Sequence, residues 1–108
     1  MSDDDASSED VVGPSVPPDA VSRELPIINK RGLHARASAK FVQMVERFNA
    51  EVWVTKGGET VGGTSIMGLM MLAAASGTSI IVEATGKEAA EVVDALTALI
   101  NARFGEDD

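Results

Sequence analysis

The sequence predicts a small α+β protein in which helices cover one face of an antiparallel sheet. Apolar residues recur with the spacing of a strand in some segments and with the spacing of a helix in others, and the two kinds of segment alternate. A chain of 108 residues has room for one domain with one modest core. The predicted order is βαββαβα, with four strands and three helices.

Residues 21 to about 47 are predicted to form the first strand and the first helix. The strand is indicated by alternation with a period of two, in which Val21, Arg23, Leu25 and Ile27 alternate with Ser22, Glu24 and Pro26. Because Pro26 has no N–H to donate to a ladder, we expect this strand at a sheet edge or ending there. After His34, an apolar pattern at Ala39, Phe41, Val42, Val45 and Phe48 indicates an amphipathic helix, which we expect to reach about Arg47.

A hairpin and a short helix are predicted next. Val52 to Thr55 forms a strand, Gly57-Gly58 supplies two residues that tolerate positive φ, and Glu59 to Val61 returns alongside. Ser65 or Thr64 can cap the following helix, which we expect to reach about Ala74 before Gly77 ends it. A last strand alternates over residues 80–85, and a last helix from Lys87 buries Val92, Val93, Leu96, Leu99 and Ile100.

The negative charge of the chain belongs to its ends. The net charge is −8, yet residues 1–20 hold six acids and no Lys or Arg, and residues 106–108 hold three more acids. Residues 21–105 therefore carry a net charge of +1. Residues 1–20 also contain three prolines and no aromatic residue, so they cannot bury enough apolar surface to offset the entropy of ordering. We predict a disordered acidic extension over 1–20, a folded domain over 21–105, and an acidic tail over 106–108.

The composition excludes several classes of protein. The chain has no Cys, so no disulfide stabilises it, and one His with no Cys offers no metal-ligand cluster. Its first residues are acidic rather than basic and then apolar, and no apolar run reaches the length of a membrane span. We therefore expect a cytoplasmic protein without a metal site or membrane insertion. The segment 21–105 also lacks the basic excess and the aromatic set of a nucleic-acid binder.

His34, the only histidine, stands where a loop gives way to the first helix. The first N–H groups of a helix have no intrahelical partner, and with the helix dipole they form an anion site beside the imidazole. Arg36 adds charged donors two residues later. Most single histidines are ordinary surface or core residues, and a Ser-His-Asp arrangement would need partners that the sequence cannot bring together. Spacing alone therefore does not decide the role of His34.

The predicted helix after Ser65 is more apolar than one face can bury against a sheet. The six apolar residues in question are Ile66, Met67, Leu69, Met70, Met71 and Leu72. Such a surplus indicates either a wide core or a docking surface. Composition by itself favours the core, because methionines often fill gaps there.

Two strings resemble one family. Gly32-Leu33-His34-Ala35-Arg36-Ala37-Ser38 resembles the active-site signature of HPr, the histidine-containing phosphocarrier of the bacterial phosphoenolpyruvate-dependent phosphotransferase system. Ser65-Ile66-Met67-Gly68-Leu69-Met70-Met71-Leu72 resembles the regulatory-serine helix of that family. The resemblance covers residues 21 to 105 and implies an HPr-like open-faced β-sandwich with strand order 1-4-2-3. Ala37 stands where many members carry Pro, a substitution that a helix tolerates well.

The resemblance implies a phosphoryl carrier rather than an independent turnover enzyme. His34 would accept a phosphoryl group on Nδ1 from the phosphohistidine of Enzyme I and pass it to a histidine of an Enzyme IIA component. Arg36 and the helix N–H groups would stabilise the phosphate, and no cofactor is required. An alternative is a regulatory member of the nitrogen-related branch, which acts by phosphorylation-dependent protein binding instead of sugar uptake.

The resemblance also assigns roles to the second string. Ser65 would be a regulatory phosphorylation site for an HPr kinase/phosphorylase, in addition to serving as a helix cap. Ile66, Met67 and Met70 would lie on the surface that meets partner proteins, where flexible methionines suit several partners in turn. We expect the protein to be a monomer.

Overall fold

The computed structural model describes residues 16–106. The predicted acidic extension therefore lies outside the described residues except for residues 16–20, where the Ala20 N–H donates to the Pro17 carbonyl at 3.2 Å. Of the predicted acidic tail, the description includes only Glu106. In this part of the chain, no helix has the length and apolarity needed to cross a membrane.

Four strands and three helices follow in the predicted order. The strands are β1 (Val21–Pro26), β2 (Glu51–Lys56), β3 (Glu59–Gly62) and β4 (Ser79–Thr85). The helices are α1 (Ala35–Val45), α2 (Ile66–Met71) and α3 (Ala89–Asn101), and a 3-10 turn (Arg103–Gly105) follows α3. The strands form one sheet in the order β1-β4-β2-β3, and every neighbouring pair is antiparallel. This architecture confirms the predicted α+β fold.

The core lies between one face of the sheet and the helices. Alternate residues of the two central strands point into it, so that Val54 and Val82, which are paired in the register, are both fully buried. The helices supply the opposing layer, with Phe41 of α1 and Leu96 of α3 fully buried in the same cluster. These residues have the periods of two and of three to four that the sequence displays.

The first strand is an edge strand, as Pro26 predicted, because its only neighbour in the described sheet is β4. Leu25 is buried, whereas Arg23 on the same side of the strand is exposed. The Arg23 guanidinium reaches α3 instead, where it donates to Asp94 at 3.0 Å and to Thr97 at 3.0 Å. An arginine at an inward position of this strand thus connects the sheet edge to the helical layer.

The second helix is shorter than the sequence predicts. We expected it to reach about Ala74, but it ends at Met71, and Ala73 has a left-handed backbone with φ of 53°. A helix cannot continue through that conformation. The chain then turns before β4, with the Gly77 N–H donating to the Ile27 carbonyl at 2.8 Å.

The segment after α2 is in close contact with the loop before α1. Gly32 has φ of 67°, and a Cβ built there would lie 2.4 Å from the carbonyl oxygen of Ala74. The same Ala74 oxygen accepts a hydrogen bond from the Leu33 N–H at 3.0 Å. Only glycine fits both the backbone conformation and the contact, and this contact fixes the entry into α1.

Gly32→Ala tests this close approach. We expect a loss of about 2–3 kcal/mol in the free energy of unfolding, because the new methyl group meets backbone and the conformation is strained. The matched control is Gly57→Ala, at a similar φ of 59° but with nothing within 4 Å of the added Cβ, which should lose only about 1 kcal/mol. Urea unfolding followed by the fluorescence of Trp53, the single tryptophan, measures both variants. Equal losses would contradict the close-contact argument.

Candidate functional site

His34 occupies the N-cap position of α1, as the sequence predicts. Its carbonyl accepts the first hydrogen bond of the helix, from the Ser38 N–H at 2.8 Å, while its imidazole makes no capping hydrogen bond. Helix geometry leaves the N–H groups of residues 35–37 without an intrahelical acceptor, and their positive end faces the region of the imidazole. His34 retains 19% of its side-chain exposure. This is a partly open site suited to an anion.

The imidazole is in hydrogen-bond contact with a carboxylate. Nε2 of His34 meets Oε2 of Glu106, and the Glu106 side chain is only 14% exposed. The other carboxylate oxygen, Oε1, accepts from Nδ2 of Asn29 at 3.1 Å. Asn29 is fully buried, and its Nδ2 also donates to the Gly32 carbonyl at 2.8 Å. One carboxylate thus joins the histidine ring to the loop in front of it.

Arg36 lies on the first turn of α1, as predicted, and is exposed. Within residues 16–106, the hydrogen bond of the His34 ring goes to Glu106 and not to Arg36. An exposed guanidinium in the first turn is free to rotate toward an anion at the helix N-terminus. The structure therefore places Arg36 one turn or less from the helix N-terminus that carries His34.

A shallow depression of about 230 Å³ lies beside the ring. Its walls come from the loop before α1 and from the segment that follows α2, and they consist of Arg31, Leu33, His34, Ala73, Ala74 and Ala75. The helices α1 and α2 also pack against each other. The two sequence motifs, which are thirty residues apart in the chain, therefore meet in one region of the surface.

The second motif forms α2, with Ser65 as its N-cap. The Ser65 hydroxyl accepts a hydrogen bond from the Gly68 N–H at 2.9 Å, which confirms the predicted cap. Within the helix only Leu69 is buried. Ile66, Met67 and Met70 are 39%, 67% and 40% exposed, so the apolar surplus lies on the surface and not in the core.

The sequence pattern missed two residues of this region, Asn29 and Glu106, and it left one apolar residue of α2 without a role. Met71 is 72% exposed and extends the apolar surface of α2, although the pattern did not separate it from core positions. Glu106 forms hydrogen bonds to both His34 and Asn29. The sequence assigned Glu106 to an acidic tail, and it gave no reason to single out Asn29 in its loop. No local signal identifies Glu106, because it lies 72 positions from His34 in the chain.

The fold and the site define a class of protein, a small α+β domain that presents a lone histidine at a helix N-terminus beside an apolar helix. Comparison with known proteins agrees. The family model described as "PTS HPr component phosphorylation site" matches residues 21–102. Phosphocarrier protein HPr of Neisseria meningitidis serogroup A is 58% identical over 86 residues, which make up 80% of this chain and 97% of that protein.

A solved structure and a more divergent relative extend the comparison. The crystal structure of HPr-C-His from Thermoanaerobacter tengcongensis has a TM-score of 0.78 and 39% identity, and the match covers 82% of this chain and 99% of that chain. Phosphocarrier protein NPr of Shewanella violacea is 36% identical over 86 residues, covering 80% of this chain and 94% of that protein. The chain belongs to the HPr family of phosphocarrier proteins of the phosphotransferase system.

Proposed function

We propose that this protein carries a phosphoryl group on Nδ1 of His34, between the phosphohistidine of Enzyme I and a histidine of an Enzyme IIA component. The observation that carries the proposal is the position of the imidazole at the open N-terminus of α1, where unpaired N–H groups face an incoming phosphate. Nε2 is engaged by Glu106, so Nδ1 is the ring nitrogen left to form the bond to phosphorus.

Transfer in both directions suits an imidazole at this site. A neutral ring nitrogen is nucleophilic, and the same nitrogen leaves readily when the next histidine attacks the phosphorus. The helix N–H groups carry partial positive charge and the exposed Arg36 side chain carries a full one. Both stabilise the phosphate without holding it too tightly for onward transfer. Phosphoryl transfer depends chiefly on the positioning of the reacting groups and on charge stabilisation. The partner protein contributes to both in the complex.

We propose that this carrier serves sugar uptake rather than the regulatory nitrogen-related branch. Its identity to the relative named HPr is 58%, against 36% to the relative named NPr, over the same number of residues. In this role the protein works in the bacterial cytoplasm as a monomer, with Enzyme I and Enzyme IIA as partners and without a cofactor. Phosphoenolpyruvate is the ultimate source of the phosphoryl group.

Labelling with phosphoenolpyruvate and Enzyme I tests this function. We expect His34→Ala to abolish labelling while the fold persists, because the imidazole makes no capping hydrogen bond. The label on the unaltered protein should be lost in acid and survive mild alkali, as a phosphoramidate does. Arg36→Ala should slow labelling by about threefold to tenfold, since the backbone donors remain.

The control for Arg36→Ala is Arg47→Ala, another exposed arginine that lies beyond the opposite end of α1. It removes the same charge from the protein at a distance from the helix N-terminus. Labelling that persists in His34→Ala would exclude the proposal, and equal slowing by both arginine variants would leave no specific role for Arg36.

The partner surface in this proposal consists of Ile66, Met67 and Met70. Burial of their exposed apolar area beside His34 would contribute to docking, because large apolar side chains at the centre of an interface carry much of the binding energy. The helix α2 that carries them packs against α1, which begins after His34. The surface and the phosphoryl acceptor can therefore meet one partner at the same time.

Ile66→Ala and Ile81→Ala form a matched pair for this surface. Both isoleucines are 39% exposed, but Ile81 lies in β4 on the face of the sheet away from the buried core residues. We expect Ile66→Ala to weaken binding to Enzyme I by about threefold to tenfold, while Ile81→Ala changes it by less than about twofold. Titration calorimetry measures both. Equal weakening would argue against a docking role for α2.

We further propose that Ser65 is phosphorylated by an HPr kinase/phosphorylase. Ser65 is exposed, and a phosphate at a helix N-terminus is compatible with the N–H groups that the hydroxyl now caps. The added charge would lie beside the apolar side chains of Ile66 and Met67, so burial of this surface against a partner would become unfavourable.

Ser65→Asp tests this regulation. We expect it to slow phosphorylation of His34 by Enzyme I about tenfold while leaving the melting temperature within about 3 °C, because Asp is also a good N-cap. Ser65→Ala should remain a competent carrier that the kinase does not modify, with about 1 kcal/mol less stability from the lost cap. Unchanged transfer in Ser65→Asp would leave Ser65 as a cap alone.

A further inference from the structure

We infer that Glu106 is a positioning residue for His34, holding the proton of the imidazole on Nε2 and leaving Nδ1 as the free nucleophile. This inference rests on the proposed function and adds to it a residue from outside the matched family region, which ends at residue 102. Three observations carry it: the contact with the ring, the burial of the carboxylate, and the construction of the segment that delivers it.

The contact defines where the proton lies. Oε2 of Glu106 meets Nε2 of His34, and an ionised carboxylate can only accept a hydrogen bond. Nε2 must therefore be the donor, and in the neutral ring Nδ1 then keeps its lone pair. Within the described residues, Nδ1 makes no capping hydrogen bond to α1, so the lone pair stays available.

The carboxylate is held at both oxygens. Nδ2 of Asn29 donates to Oε1 from a fully buried amide, and the oxygen of that amide, Oδ1, has no partner among the described residues. Turning that amide over would place its oxygen against both the Glu106 carboxylate and the Gly32 carbonyl. The orientation of the buried Asn29 amide therefore leaves its own oxygen unpaired, and it directs the amide nitrogen to Glu106, whose other oxygen meets the ring.

The backbone after α3 holds Glu106 in place beside the ring. Phe104 is 1% exposed and anchors the segment in the core, and its carbonyl accepts from Nζ of Lys40 in α1 at 2.6 Å. Arg103 and Phe104 both have φ of 56°, an unfavourable conformation for residues other than glycine. Such strain persists where the surrounding contacts enforce it, and it is concentrated at functional sites. Here it turns the chain back toward the N-terminus of α1.

Glu106 would also act during transfer. When the Nδ1 lone pair forms the bond to phosphorus, the bond from phosphorus to the donor histidine breaks and its electron pair stays with the donor ring. The His34 ring then carries a positive charge while its proton remains on Nε2. A carboxylate on that proton stabilises the charge, as the buried acid of a catalytic triad stabilises imidazolium. The charge disappears again when the next acceptor takes the phosphoryl group.

Nuclear magnetic resonance of the free, unphosphorylated protein tests the positioning directly. We expect the unaltered protein to show a downfield His34 Nε2–H proton, slow to exchange with water, and a Nδ1 nitrogen shift typical of an unprotonated ring nitrogen. In Glu106→Ala the signal of this proton should be lost, because the proton exchanges rapidly with water. Glu106→Gln, which keeps an acceptor oxygen without the charge, should fall between the two. The control is Glu59→Ala, which removes an exposed charge on the β2–β3 hairpin.

Rates of phosphorylation by phosphorylated Enzyme I complete the test. We expect Glu106→Ala to be about tenfold slower, which corresponds to about 1.4 kcal/mol, while Glu59→Ala matches the unaltered protein. A ring proton that exchanges freely in the unaltered protein, or a Glu106→Ala variant that retains both the proton and the rate, would overturn the inference. If the protected proton depends on Glu106 but His34 is never labelled, the proposed function fails and the assignment of Glu106 to Nε2 stands.

Discussion

The position of His34 depends on one backbone contact, the approach of Gly32 to the carbonyl of Ala74. No side chain fits between them, and the Leu33 N–H donates to the same carbonyl. This contact holds the loop before α1 against the segment after α2, although the two are some forty positions apart in the sequence. His34 and the segment that follows α2 thereby line one surface depression.

The rest of the molecule supports that surface without contributing to its chemistry. The sheet and the inner sides of α1 and α3 form the core, and the site lies on the loops and helix ends above it. Loops that carry function on a rigid layer are a common arrangement. It also explains why His34→Ala should leave the fold intact, since the imidazole is not part of the buried cluster.

The sequence predicted what local periodicity and capping determine. The alternation over β4, the spacing in α3 and the Ser65 cap were all recognisable, and the edge position of β1 followed from Pro26. The strand order came from family resemblance, because periodicity does not specify which strands pair. The early end of α2 was missed, since nothing in an alanine-rich segment marks Ala73 as left-handed.

Glu106 shows why the candidate site could be predicted only in part. His34, Arg36 and Ser65 belong to contiguous motifs, whereas the carboxylate on the ring comes from a turn after the last helix. Its place depends on the burial of Phe104 and on the amide of Asn29, both of which are tertiary contacts. In the sequence, Glu106 precedes two further acids and cannot be told apart from a solvated tail. Only the folded backbone shows that its carboxylate is largely buried beside His34.

The short length and slight burial of α2 determine how readily its backbone hydrogen bonds open. With six residues and Leu69 as its only buried member, α2 adds little to the cooperative core, so its backbone amides should open far more often than those of β2 or β4. Local opening of this kind lets a surface adjust to differently shaped neighbours while the sheet remains folded. A short, weakly anchored helix can thus serve several partners in succession without any change in the core.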